Sequence, residues 1–308
     1  MKLHFLLCGC LSLVAYAASL QAEPFENKAA QKGLPEGPGL ADAYAGDEGI
    51  GQNESVLFAD NFEEGALGSH WEEVRNPSGN VLSYVDPASP GLGHRCLRVE
   101  AHLDKDTGGG LTRWFDSSSD TVFIRFYTKF DPACDYIHHF VSLTANRGLH
   151  GSDKWSGFGK AGIRPVGDDR FSTSIEPWGD NGTLPPPGRW NFYSYWPDMH
   201  IDPDGHYWGN SFSETRFPTI HRDQWICVEF MLKHNTPGQP DGEQAFWIDG
   251  VLQGHWVGIK WRTSPTLKAN ALTVQSYVTD RWTKNPVNTV FFDNIVIANK
   301  YIGPTGTK

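Results

Sequence analysis

The chain has 308 residues, of which 39% are hydrophobic and 20% charged, with 33 Gly, 20 Pro, 12 Trp and 3 Met. That apolar fraction supports one large core or two ordinary ones, and the profile excludes disorder, coiled coil and collagen. A net charge of −10 leaves no general basic footprint, so neither nucleic acid nor an anionic membrane surface is an expected partner.

Lys2 followed by an apolar run over 5–18 reads as a secretory signal peptide, 1–22, with cleavage after Ala17 or Ala22. The run is too short to span a bilayer and no second one follows, so no membrane span is expected. The stretch Leu7-Cys8-Gly9-Cys10 resembles a lipobox, but the apolar run continues past Cys10, which argues against lipidation. The expected location is secreted, periplasmic or cell-surface. Residues 23–54, rich in Ala, Gly, Pro, Glu and Asp without apolar periodicity, read as a flexible leader. Export permits disulfides, and Cys96, Cys134 and Cys227 offer either one bridge plus a free thiol or three buried thiols.

From residue 55 to 305 the texture is that of a single all-β domain. Short apolar or alternating runs fall at 56–62, 96–102, 110–115, 122–130, 139–144, 171–175, 190–196, 225–234, 244–248, 271–278 and 289–298. Gly, Pro, Asn and Asp separate them, and no helical period exceeds a turn or two. Many strands at this spacing predict a sandwich, barrel or jelly roll. Asp249-Gly250 after Phe246-Trp247-Ile248 is the strongest hairpin signal.

Four stretches carry a resemblance. They are Phe58-Ala59-Asp60-Asn61-Phe62-Glu63; Trp225-Ile226-Cys227-Val228-Glu229 with Lys233-His234-Asn235; Asp241-Gly242 with Trp247-Ile248-Asp249-Gly250; and Phe292-Asp293-Asn294-Ile295-Val296 with Tyr301-Ile302-Gly303-Pro304. Together they resemble the concanavalin A-like (laminin-G-like) jelly rolls of secreted bacterial proteins grouped near alginate and glucuronan lyases. The resemblance implies a β-sandwich of two antiparallel sheets with a concave face that binds a polysaccharide. It implies no required cofactor, beyond a structural calcium near the chain ends, for which Asp293 is the residue to test. A monomer is expected.

The chemistry must come from the residues themselves. The Glu-x-Asp-x-x-Glu pattern of retaining glycosidases on this fold is absent. A polysaccharide lyase instead neutralises a uronate carboxylate, removes the proton α to it and protonates the leaving oxygen. Lys160 sits in a Gly-rich run, and Tyr193 and Tyr195, two apart on a strand, share one face. This is similar to one branch of the alginate lyases. The similarity implies Lys160 as base or charge stabiliser and Tyr195 or Tyr193 as proton donor. That branch also carries an Arg before the Trp of the intervening strand. Here the strand reads Ser172-Thr173-Ser174-Ile175-Glu176-Pro177-Trp178 without one, and Arg164 is the candidate substitute. Lys160 also reads as a solvated loop lysine, and the tyrosines as a half-buried strand pair.

His139 and Gln275 are candidate substrate-binding groups, with His138 and His139 expected on opposite faces. Among Trp178, Trp190, Trp196 and Trp208, Trp178 and Trp196 are the candidate stacking platforms for sugar rings. Asp202-Pro203-Asp204-Gly205 reads as a turn. Two other functions fit the same sequence, a non-catalytic carbohydrate-binding module and an interaction protein of the cell envelope.

Overall fold

The computed structural model describes residues 33–86, 92–117 and 119–306; the predicted signal peptide, 1–22, lies outside them. Fifteen strands are found among the described residues, and no α-helix. In chain order they are β1 (Val56–Asp60), β2 (Glu73–Arg75), β3 (Leu82–Val85), β4 (Cys96–His102) and β5 (Gly108–Trp114). Next come β6 (Thr121–Phe130), β7 (His139–Asn146), β8 (Arg170–Trp178), β9 (Arg189–Tyr195) and β10 (Asn210–Phe212). The last are β11 (Ile226–Lys233), β12 (Gly242–Ile248), β13 (Val251–Ile259), β14 (Lys268–Tyr277) and β15 (Val287–Ala298).

They form two antiparallel sheets. One has eight strands in the order β13-β12-β11-β6-β15-β4-β3, with β1 also on β15; the other has seven, β10-β9-β8-β7-β14-β5-β2. Strand β15 is long enough to share one edge between two partners, pairing β4 over 287–292 and β1 over 295–298. Asp249 and Gly250, at φ 50° and 77°, make the tight turn between β12 and β13 that their sequence predicts.

Period-two alternation explains the packing. On β8, Phe171 and Ile175 point into the core, while Ser172, Ser174 and Glu176 face a cavity on the other side. On β11, Phe230 and Leu232 enter the main core between the sheets, and Met231 joins a second apolar cluster behind the eight-stranded sheet. Residues 33–54, expected as a flexible leader, cover that second cluster. Ala41 and Ile50 are buried in it beside Trp247 and Tyr301. Asp47 is also buried and receives two hydrogen bonds from Arg125 Nη2, at 2.7 and 2.6 Å. Buried apolar contacts and an ion pair, invisible to periodicity, hold this segment to the domain.

Cys96, Cys134 and Cys227 are three free, buried thiols. Burial pushes each up to about 12, so they pack as small apolar groups and not as nucleophiles.

One buried histidine makes stability depend on pH. His234 Nε2 accepts the Ala269 N–H at 2.9 Å, so Nδ1 carries the proton and donates to the Asp120 carbonyl at 2.8 Å. The ring is therefore neutral, and burial with the nearby Arg262 lowers its pKa to about 4. The unfolded chain takes up this proton near pH 6.5 while the folded chain refuses it until about pH 4. This contribution is thus intact above pH 6.5 and is lost on acidification, by roughly 3 kcal/mol at pH 4. Urea midpoints at pH 7 and pH 4 should show the decline, with His234→Gln removing this part of it. An identical pH dependence in the variant would refute the assignment.

Candidate active site on the seven-stranded sheet

The outer face of the seven-stranded sheet carries a cavity of about 270 Å³. Its floor is polar and comes from neighbouring strands: Ser142 and Thr144 of β7, Ser172 and Ser174 of β8, Tyr193 and Tyr195 of β9, and Thr273 and Gln275 of β14. Lys160 enters from the β7–β8 connection. That connection lies close on the sheet because residue 157 is glycine: a Cβ there would sit 2.5 Å from Thr144 Cγ2. Arg170 ties down the same segment, donating to Asp169 and to the Ile163 carbonyl. Five of the residues singled out in the sequence, Lys160, Tyr193, Tyr195, His139 and Gln275, therefore line one cavity.

Their geometry suits proton transfer. The hydroxyls of Tyr193 and Tyr195 lie 3.4 Å apart. Burial, and then the Tyr195 neighbour, push the Tyr193 phenol well above its ordinary range, so it is held protonated. The backbone of Gly209 packs directly on the Tyr193 ring, where a Cβ would stand 2.5 Å from it. The His139 ring stacks on Tyr277, with centroids 6.0 Å apart and an interplanar angle of 16°. His139 Nδ1 is 3.8 Å from Glu176 Oε2, an ion-pair distance too long for a hydrogen bond. Glu176 is buried and its pKa is raised by desolvation, which His139 partly opposes.

Arg147 pairs with Asp153, Arg170 pairs with Asp169, and Lys154 lies over the Trp114 ring at 3.9 Å. Lys160 is exposed and in no ion pair among the described residues, so its ammonium is open to an incoming anion.

Several expectations are corrected. Arg164 does not line the cavity; its guanidinium lies over the Tyr207 ring at 5.3 Å. Trp196 is fully buried in the core against Phe212 and Trp261, so it is no platform. Trp190 is core as well, and Trp208 stacks on His206 in a loop. Trp178 does line a cavity, the second one described below. His138 and His139 are not on opposite faces: their rings are 4.2 Å apart. His138 lies just before β7, so alternation along that strand does not set its face; on β7 itself His139 lines the cavity and Phe140 enters the core.

Asp293, the residue expected to hold a structural calcium, lies in the long strand β15. It is buried within β15, with Oδ1 accepting the Asn294 N–H at 2.8 Å, and burial raises its pKa well above the carboxylate range. Its Oδ2 has no hydrogen-bond partner among the described residues. Among the described residues no group of three or more His, Cys, Asp or Glu is arranged to hold a metal ion. Asp202 and Gly205 form a turn, with Gly205 N–H donating to Asp202 O at 2.9 Å.

The residues missed in the sequence are Ser142, Ser172, Ser174, Asn191 and Trp282, all lining these cavities. The signal was there in β8, where Ser172, Ser174 and Glu176 are spaced two apart between Phe171, Thr173, Ile175 and Pro177. Trp282 follows β14 in a loop, and no local pattern marks it.

The architecture matches known polysaccharide lyases. A PL-14 alginate lyase from Aplysia kurodai aligns with a TM-score of 0.61 at 13% identity, over 79% of this chain and 99% of that one. An alginate lyase from Chlorella virus gives 0.55 at 15% identity, over 75% and 92%. An endo-beta-1,4-glucuronan lyase from the fungus Trichoderma reesei gives 0.50 at 16%, over 79% and 95%. The chain has a lyase-like jelly roll. At these identities the likeness establishes the fold and not the activity. No protein-family model matches the sequence, and no curated protein matches it. Among the described residues no helix is long and apolar enough to cross a membrane.

The two tryptophans separate by role. Trp178→Ala is expected to weaken glycan binding with little change in stability. Trp196→Ala should cost about 3–5 kcal/mol of stability, the usual penalty for emptying a core aromatic site. Glycan affinity by calorimetry and urea midpoints measured together would show the split, and unchanged affinity in Trp178→Ala would refute it.

Proposed function

We propose that the protein is a secreted polysaccharide lyase that cleaves an acidic glycan by β-elimination in the cleft of the seven-stranded sheet. The observation that carries this reading is the convergence of Lys160, His139, Tyr193, Tyr195 and Gln275 on one cavity. Lys160 and the Gln275 amide neutralise the uronate carboxylate, which acidifies the adjacent C–H. His139 takes that proton, and the electron pair becomes the new C=C bond as the glycosidic C–O bond breaks. Tyr193, held protonated by burial, gives its proton to the leaving oxygen. Tyr195, within reach of the Tyr193 hydroxyl, orients it. No water is consumed, and the product is a conjugated, unsaturated uronate.

The test is ultraviolet absorbance of that product across a panel of acidic polysaccharides. A rise on one substrate, lost in Lys160→Ala, is the expected result. No rise on any substrate, with binding retained, would make the protein a carbohydrate-binding module using the same face.

A further inference from the structure

Beyond the Tyr193 and His139 side chains lies a second cavity of about 160 Å³. The two cavities share His139 and Tyr193 as a common wall, so a glycan bond reacting at that wall has one sugar in each. The volume is about five waters' share of the liquid, the scale of one sugar ring.

The chemistry of this second cavity differs from that of the first. Glu176 Oε2 and Asn191 Oδ1 line it, are buried, and have no hydrogen-bond partner. Asn191 Nδ2 is already directed at Ser211 Oγ, 3.4 Å away. Two buried, orphaned acceptors are costly unless a ligand supplies donors. Trp178 and Trp282 also line the cavity and offer ring faces for the C–H side of a sugar.

No Lys or Arg lines it. The titratable groups facing its interior are Glu176 from β8, His139 from β7, Tyr193 from β9, and His138 and Tyr136 from the segment before β7. His138 is kept neutral, its pKa lowered to about 4 by burial, His139 and Arg281. Arg281 itself lies over Trp282 at 4.9 Å, exposed and outside the lining. A carboxylate placed here would meet acceptors and an acid with no Lys or Arg to receive it; a hydroxyl-bearing ring would meet the acceptors it can satisfy.

We propose that this second cavity is a subsite for one uncharged, hydroxyl-rich sugar ring. The glycan then carries its uronate on the Lys160 side of the scissile bond and a neutral sugar on the Glu176 side. The subsite rests on the lyase reading for its place beside a scissile bond, but its preference for an uncharged ring is a property of binding alone. Glu176 and Asn191 accept hydroxyl protons, and Trp178 and Trp282 pack the ring. Selectivity against a uniform polyuronate follows from Glu176, which has no Lys or Arg beside it and only His139 Nδ1 at 3.8 Å.

Calorimetry on Tyr193→Phe, which slows turnover, would compare two probes. One is a tetrasaccharide of glucuronate alone; the other alternates glucuronate with glucose. The mixed probe is expected to bind about tenfold more tightly or better, the scale of one or two satisfied buried acceptors. Glu176→Gln, nearly isosteric and uncharged, should narrow that gap. Trp282→Leu, a change at a half-buried position, should weaken the mixed probe by about tenfold and leave the uniform one nearly unchanged. Equal or tighter binding of the uniform probe overturns the subsite, and turnover of that probe by the unmodified protein would leave the lyase reading standing without it. Preference for the mixed probe with no unsaturated product from any substrate keeps the subsite and overturns the lyase.

Discussion

Tyr193→Phe is expected to lower kcat by about 10²–10⁴-fold, the range for removing a positioned general acid, while leaving glycan affinity nearly unchanged. The phenol sits on the wall shared by the two cavities, next to His139 and 3.4 Å from the Tyr195 hydroxyl. Phenylalanine keeps the ring that packs on Gly209 and deletes the hydroxyl that would protonate the leaving oxygen. Tyr195→Phe removes a neighbour that orients this proton, so a smaller loss is expected. Burial holds Tyr193 protonated through the neutral range, so the alkaline limb of the rate profile should not arise from its ionisation near pH 10. Single-turnover rates beside calorimetric affinities would decide it. A variant that loses affinity and rate together would assign Tyr193 to binding, and one that loses neither would remove it from the site.

The second large effect is on stability, far from the cleft. Asp47→Ala is expected to destabilise the fold by about 3–5 kcal/mol, because it leaves the guanidinium of Arg125 buried without its carboxylate. Arg125 is fully buried, donating to both Asp47 oxygens and, through Nη1, to the Asn294 carbonyl at 2.7 Å. The double change Asp47→Leu with Arg125→Met removes both charges and should cost far less than either single change. The cycle in urea therefore measures how firmly residues 33–54 are anchored to the sheet. A loss under 1 kcal/mol in Asp47→Ala would show that this segment detaches at little cost and does not belong to the cooperative unit.

Much of this protein was legible in its residues. Alternation of apolar and polar side chains located most of the longer strands, since a half-buried strand must alternate to face both core and solvent. Asp249-Gly250 specified its hairpin because that turn needs two residues tolerant of positive φ. The short strands β2, β3 and β10 carried no such signal; three or four residues hold too little alternation, and they pair because longer neighbours offer them an edge. Spacing of two put Tyr193 and Tyr195 on one face, and the structure adds His139 and Gln275 from β7 and β14.

Trp178 and Trp196 look alike as aromatic residues flanking strands, yet one lines a cavity and the other fills the core, a choice made by what packs across from each. His138 precedes β7, which begins at His139, so strand alternation does not govern it and its ring lies beside that of His139. Residues 33–54 have the composition of a linker, and only a partner more than seventy positions away, Arg125, makes Asp47 a buried anchor. Local periodicity and side-chain identity were enough to specify the longer strands, the all-β class and the type of chemistry its polar residues can perform. The tertiary structure alone decided which of those residues meet, because burial and pairing between distant strands are properties of the assembled sheets.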